Sequence, residues 1–283
     1  MEPSGTPRIG IDLPVDGVHS VEQGAVEQGA VEQGVVEQGV SAGDGGGVEL
    51  AVRAESAGVG AVWITAGEDT ADHDLLQAVA QVAAVTRSVA IVAAGLAWPP
   101  ASWLRAAEDL ATLDALSGGR LEVALQLTPP LTAEGLAAAA EDLELVRLGW
   151  SAGPVEHESP RHRVDGVDVH PKPLRPHGPP VWTRLPSGGV ASARVAQWAR
   201  GGGSGLWWPS LASARTGLEA DSGSTPLRTA VSGHEPLSLD EDGMAGARAR
   251  AELQAAAFPS LAISDWIEAV RSDSSRSRGT SPL

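Results

Sequence analysis

At 283 residues the chain has room for one α/β barrel or two ordinary domains, and 42% apolar with 20% charged residues is the balance of a folded globular protein. It has no Cys, no Tyr and a single Lys (Lys172, between Pro171 and Pro173), which excludes disulfides, thiolate or phenolic catalysts, Cys-ligated zinc and a desolvated Schiff-base amine. A formal charge of −16 argues against nucleic acid, no signal peptide or membrane-spanning stretch is expected, and the chain reads as cytoplasmic.

Arg8 to Leu13 reads as a first strand. Val21 to Val40 is four tandem pentads of the type VEQGA or VEQGV, and a period of five builds neither a helical nor a strand face. It belongs to a low-complexity insertion, residues 14–47, read as a mobile loop, with a lid or partner segment as the alternative. From Val48 the pattern turns regular. Helix 49–57, strand Ala61–Ile64, helix Asp72–Val85 and strand Ser88–Leu96 follow one another. A helix opened by Pro99-Pro100, strand Leu121–Leu127 and helix Ala133–Leu148 continue the series. Such spacing is that of parallel βαβ units with helices outside a buried sheet. Residues 154–180 form an irregular excursion with a hairpin at Val164-Asp165-Gly166-Val167. Then come strand Pro180–Thr183, helix Val190–Ala199, strand Gly205–Trp208 and a possible seventh strand at Leu227–Ser232. Ala245–Ala257 and Ser264–Val270 read as helices, and residues 271–283 as a disordered tail, leaving a single domain over residues 1–270 without an evident eighth strand.

The ordered set Leu110-Ala111-Thr112-Leu113-Asp114, Leu116-Ser117-Gly118-Gly119-Arg120, His162-Arg163-Val164-Asp165-Gly166, Pro171-Lys172-Pro173-Leu174 and Pro179-Pro180-Val181-Trp182 resembles the bacterial-luciferase-like flavin and deazaflavin oxidoreductases. The resemblance covers residues 8–13 and 48–208. It implies an α/β fold of the TIM-type (β/α)8 barrel, degenerate or incomplete at its C-terminal end, with any site at the C-terminal ends of the strands.

The resemblance also implies active-site phrases, and here the chain departs. Where the family carries an acid and a His after its second strand, Ala66 and Gly67 stand; His73 could substitute, or be a solvated helix-start residue. Where the family has a glycine-rich loop after the fourth strand, Thr128-Pro129-Pro130 stands, with less room and fewer N–H donors. The phosphate-binding turn is better kept. Arg184, Ser187, Gly188 and Gly189 precede a helix and form a candidate anion site, or an ordinary Ser cap. Trp208 is the candidate ring-stacking residue in the Trp207-Trp208 pair, with packing beneath a helix as its alternative.

Other signals are set aside. Gly58-Val59-Gly60 and the Gly201–Gly205 run precede strands, the reverse of a dinucleotide fingerprint. His157, His162, His170 and His177 lie in a Pro-rich stretch without metal-ligand spacing, so no metal is expected. Glu108 and Asp109 read as a solvated helix face. The resemblance implies an oxidoreductase or monooxygenase using FMN or the deazaflavin F420 on a small organic substrate, as a homo- or heterodimer. The alternative is an inactive member acting as partner subunit or ligand-binding protein.

Overall fold

The computed structural model describes residues 8–14, 46–66, 71–186, 189–208, 229–236, 241–257 and 263–269. In chain order these form β1 (Arg8–Pro14), α1 (Gly47–Ser56), β2 (Ala61–Thr65), α2 (Asp72–Val85), β3 (Ala90–Trp98), α3 (Trp103–Leu116), β4 (Leu121–Leu127) and α4 (Ala133–Trp150). There follow β5 (Val155–Glu158), β6 (Arg163–Val167), β7 (Val181–Arg184), α5 (Gly189–Gly201), β8 (Gly205–Trp208), β9 (Thr229–Pro236), α6 (Glu241–Ala257) and β10 (Ile263–Ala269). The pentad repeat and the C-terminal tail lie outside the described residues.

Eight parallel strands close in the order β1-β2-β3-β4-β7-β8-β9-β10, the TIM-type architecture that the alternation of elements predicts. The closing strand comes from the segment whose pattern predicts a helix, Ser264–Val270. Its apolar spacing is helical, and pairing with the edges of β1 and β9 overrides that local pattern in favour of the strand. The irregularity expected at this end takes the form of a faulty seam, with register shifts between β9 and β10 at Ile263/Asp265 and Ile267/Ala269. The hairpin also differs from expectation. Val164 to Val167 belong to its second strand, and the turn is the Ser159–His162 segment, closed by the Ser159 N–H bonding the His162 carbonyl at 2.8 Å.

The strands sort their side chains with period two. On β1, Ile9, Ile11 and Leu13 face outward under the helices; on β4, Leu121, Val123, Leu125 and Leu127 do the same. The inner faces hold Trp63, Trp182 and Trp207 among Ala61, Val92, Ala94, Ala124 and Ala230. Trp63 stands 5.8 Å from Trp182 and 5.1 Å from Trp207 between ring centroids, so three indoles plug the barrel. Glycines make the room: a Cβ on Gly205 would come within 2.5 Å of Trp182 Cε3, and one on Gly60 within 2.3 Å of Arg8 Cγ. That accounts for two of the glycine runs that a fingerprint reading would claim. Below the indoles, Arg8 donates to both Glu122 oxygens at 3.0 and 3.2 Å, and Trp182 Nε1 donates to Glu122 Oε2 at 2.7 Å.

The Ser-Gly-Gly-Arg turn is a latch at the N-terminal end of the barrel. Gly118 and Gly119 take φ of 67° and 79°, which lets the chain reverse between α3 and β4. Arg120 then reaches the Ala83, Thr86 and Val89 carbonyls at 3.0–3.1 Å, tying the end of α2 to the start of β3 and β4. Buried Asp114 accepts from the Leu174 N–H at 2.8 Å and from Arg175 Nη2 at 3.1 Å, which docks the Pro171–Leu174 phrase. The Leu110–Arg120 and Pro171–Leu174 phrases of the sequence resemblance are therefore architectural, and they lie at the end of the barrel opposite the strand C-termini.

The hairpin is held on α4 by charge. His157 Nε2 meets Glu141 at 3.0 Å, Arg161 bridges Glu141 and Asp142 at 2.8 and 3.0 Å, and His162 Nε2 meets Asp142 at 2.7 Å. The Ser159 hydroxyl also donates to Glu141, and this bond with those from His157 and Arg161 holds the Glu141 carboxyl at about 2 against the opposing effect of burial.

Candidate functional site

In a barrel of this kind the strand C-termini converge on one rim, where the following loops can build a site. Among the described side chains, four polar ones face inward there. Asp12 is the last inward residue of β1 before Pro14, and the Thr65 hydroxyl at the end of β2 donates to its Oδ1. Across the mouth, Arg184 at the end of β7 donates from Nη1 to Gln126 Oε1 on β4 at 2.9 Å. The Arg184 guanidinium lies over the Trp207 ring, 4.9 Å from its centroid, so the indole plug forms the floor of this polar ring.

Electrostatics divides the ring into two halves. Burial raises the Asp12 pKa above the ordinary carboxylate value, and it outweighs the lowering effects of the Thr65 hydrogen bond and the Arg184 charge. On the other side, the Arg184 guanidinium is directed by its hydrogen bond to Gln126. Gln126 is exposed, so the mouth opens to solvent on that side.

The predicted site residues fare unequally. Arg184 sits at the mouth. Gly189 begins α5, while Ser187 and Gly188 lie outside the described residues. His73 does not join the inward group: it is exposed in the first turn of α2, its ring 2.9 Å from Asp74. Trp208 also needs correction. With Leu206 it belongs to the outer packing layer, and Trp207 is the indole that enters the barrel, because successive strand residues face opposite ways. Asp12, Thr65 and Gln126 are absent from the sequence-based set, although β1 and β4 carry their signal. In Arg8-Ile9-Gly10-Ile11-Asp12-Leu13 and Leu121-Glu122-Val123-Ala124-Leu125-Gln126-Leu127, every second residue is apolar, leaving the polar ones on the inner face.

Three of the four histidines of the excursion are engaged with acids: His157 with Glu141, His162 with Asp142 and His170 with Asp168, the last at 3.2 Å. Away from the mouth, a groove of about 860 Å³ lies on the outer surface between α4 and α5, lined by Leu136, Ala140, Leu143, Arg147, Arg194 and Trp198 among others. No helix among the described residues is long and apolar enough to cross a membrane.

A family model described as luciferase-like monooxygenase matches residues 37–197. The chain belongs to this family. Luciferase-like relatives of known structure share its fold. Monooxygenase RslO1 from Streptomyces bottropensis is 21% identical, with 93% of this chain and 92% of that chain covered and a TM-score of 0.61. An F420-dependent secondary alcohol dehydrogenase, solved with an F420-acetone adduct, is 14% identical with 94% of each chain covered and a TM-score of 0.57. The oxygenating constituent of 3,6-diketocamphane monooxygenase from Pseudomonas putida, solved with FMN, is 16% identical with 68% of this chain and 62% of that chain covered and a TM-score of 0.51. No curated protein matches the sequence. Luciferase-like neighbours thus include both deazaflavin and FMN proteins, and at these identities they establish the architecture.

Proposed function

We propose that this luciferase-like chain is an oxidoreductase that holds a flavin-type cofactor, FMN or a deazaflavin, across the barrel mouth beside a small organic substrate. The observation that carries this reading is the inward polar ring Asp12, Thr65, Gln126 and Arg184 above an apolar indole floor. The donor set fits the polar edge of such a ring system: a guanidinium fork and an amide can meet carbonyl oxygens and ring N–H groups in one plane. When bound, the cofactor supplies the redox chemistry. The chain supplies the rest. Trp63, Trp182 and Trp207 exclude water from beneath the site, and Arg184 with the first N–H groups of α5 offers positive potential for a phosphate. In this reading Ser187 and Gly188, just before the helix, complete the phosphate turn.

A second reading is supported by the wall after β4, where exposed Thr128, Pro129 and Pro130 stand in place of glycines. It makes the chain a non-catalytic partner subunit or ligand-binding barrel. Titrating FMN and a deazaflavin against the purified chain, and following ring absorbance and fluorescence, separates the two. The oxidoreductase reading expects saturable perturbation of one ring. A folded chain that perturbs neither at high micromolar concentration favours the second.

A further inference from the structure

We propose that Asp12 is the proton-exchange group of the barrel mouth, with Arg184 setting its charge. This deepens the reading above and depends on it only for the identity of the ligand. The argument is one of geometry and elimination. Among the described inward residues at this end, Thr65 and Gln126 have no ionisation near neutral pH, and a guanidinium does not deprotonate in proteins. His73, the titratable residue offered by the family resemblance, is turned to solvent beside Asp74. Among the described side chains at this end, Asp12 remains.

Its surroundings suit the task. Asp12 stands beside Trp63 of β2 and Ala269 of β10 in the barrel register. The Thr65 hydroxyl from β2 fixes Oδ1, which leaves Oδ2 to carry the exchangeable proton. Among the described side chains, the charged group that acts on it is Arg184 of β7, which donates to Gln126 of β4. Burial favours the protonated carboxyl; the guanidinium and the Thr65 bond favour the carboxylate. The net effect favours the protonated form relative to an exposed Asp, the direction that suits a proton donor.

The step balances simply. Asp12 Oδ2 gives its proton to a substrate oxygen that gains negative charge as the attached carbon accepts a hydride from the reduced flavin-type cofactor. The carboxylate left behind is stabilised by Arg184 and regains a proton from solvent at the open side of the mouth. A ligand group that engages Arg184 weakens its hold on Asp12, so such a ligand binds with uptake of a proton.

The test starts on the ligand-free chain. Carboxyl ¹³C resonances of labelled aspartates are followed against pH, and the Asp12 signal is identified by its loss in Asp12→Asn. Its midpoint is expected above the ordinary carboxylate range, and higher still in Arg184→Gln and in Thr65→Val, each of which removes an influence that favours the charge. An Asp12 signal that titrates in the ordinary range, or that ignores Arg184→Gln, overturns the proposal. Should Asp12→Asn fail to fold, the signal is identified instead by its replacement in Asp12→Glu, independently of the Arg184 and Thr65 variants. If Asp12 titrates as expected and no cofactor binds, the oxidoreductase reading alone fails; if a cofactor binds and Asp12 titrates normally, the proton-exchange role alone fails.

Discussion

Glu122→Ala is expected to destabilise the chain by about 3 kcal/mol, as breaking one side of a buried ion pair does. Glu122 is the hub beneath the indole plug, with its side chain 7% exposed and both oxygens engaged by Arg8, whose side chain is 27% exposed. Its Oε2 also accepts from Trp182 Nε1, so truncation takes an acceptor from a fully buried indole as well. Denaturant unfolding measures the loss. Glu122→Gln keeps an acceptor for Trp182 but loses the ion pair with Arg8, and should fall between wild type and Glu122→Ala. Unchanged unfolding of Glu122→Ala would contradict the packing described for the barrel interior.

Arg184→Ala is expected to weaken cofactor binding by about tenfold or more, the usual worth of a charge-assisted hydrogen bond. Arg184 stands at the mouth with its fork directed by Gln126 and its face on Trp207, so it is pre-positioned for an anionic or carbonyl group. Arg184→Lys keeps the charge and loses the planar fork, and should restore part of the affinity. Ring fluorescence measures both. Wild-type affinity in Arg184→Ala would remove the rim from the account. Because Arg184 is half-exposed and lies above the plug, neither variant should change the melting temperature as Glu122→Ala does.

Much of the scaffold is legible in the sequence because each βα unit carries its own punctuation. Asp72–Val85, Leu121–Leu127 and Gly205–Trp208 have the same bounds in sequence and structure, and the Ser102 and Thr132 hydroxyls cap α3 and α4 by accepting from the Arg105 and Gly135 N–H groups. β10 is hidden because Trp266, Ile267, Ala269 and Val270 carry helical and not alternating spacing, and pairing with its neighbours β1 and β9 overrides that pattern. The site is harder to read. Arg184 is recognisable next to a phosphate-type turn, but its partner Gln126 lies 58 residues away, and only barrel closure unites them with Asp12 and Thr65. Treating the strands as uniformly apolar conceals the inner polar set. β1 and β4 in fact alternate, with Arg8, Asp12, Glu122 and Gln126 on the inner side. The exchange of Trp208 for Trp207 has the same origin, since one residue of offset moves a side chain from one face of a strand to the other.

The most direct test of the account is where a bound cofactor protects the backbone from hydrogen exchange. With FMN or a deazaflavin added, protection is predicted at Asp12–Leu13, Thr65–Ala66, Gln126–Thr128 and Arg184–Leu185, the strand ends around the mouth. Protection confined to the facing sides of α4 and α5, along the groove of about 860 Å³, would contradict it and move the ligand site to the outside of the barrel.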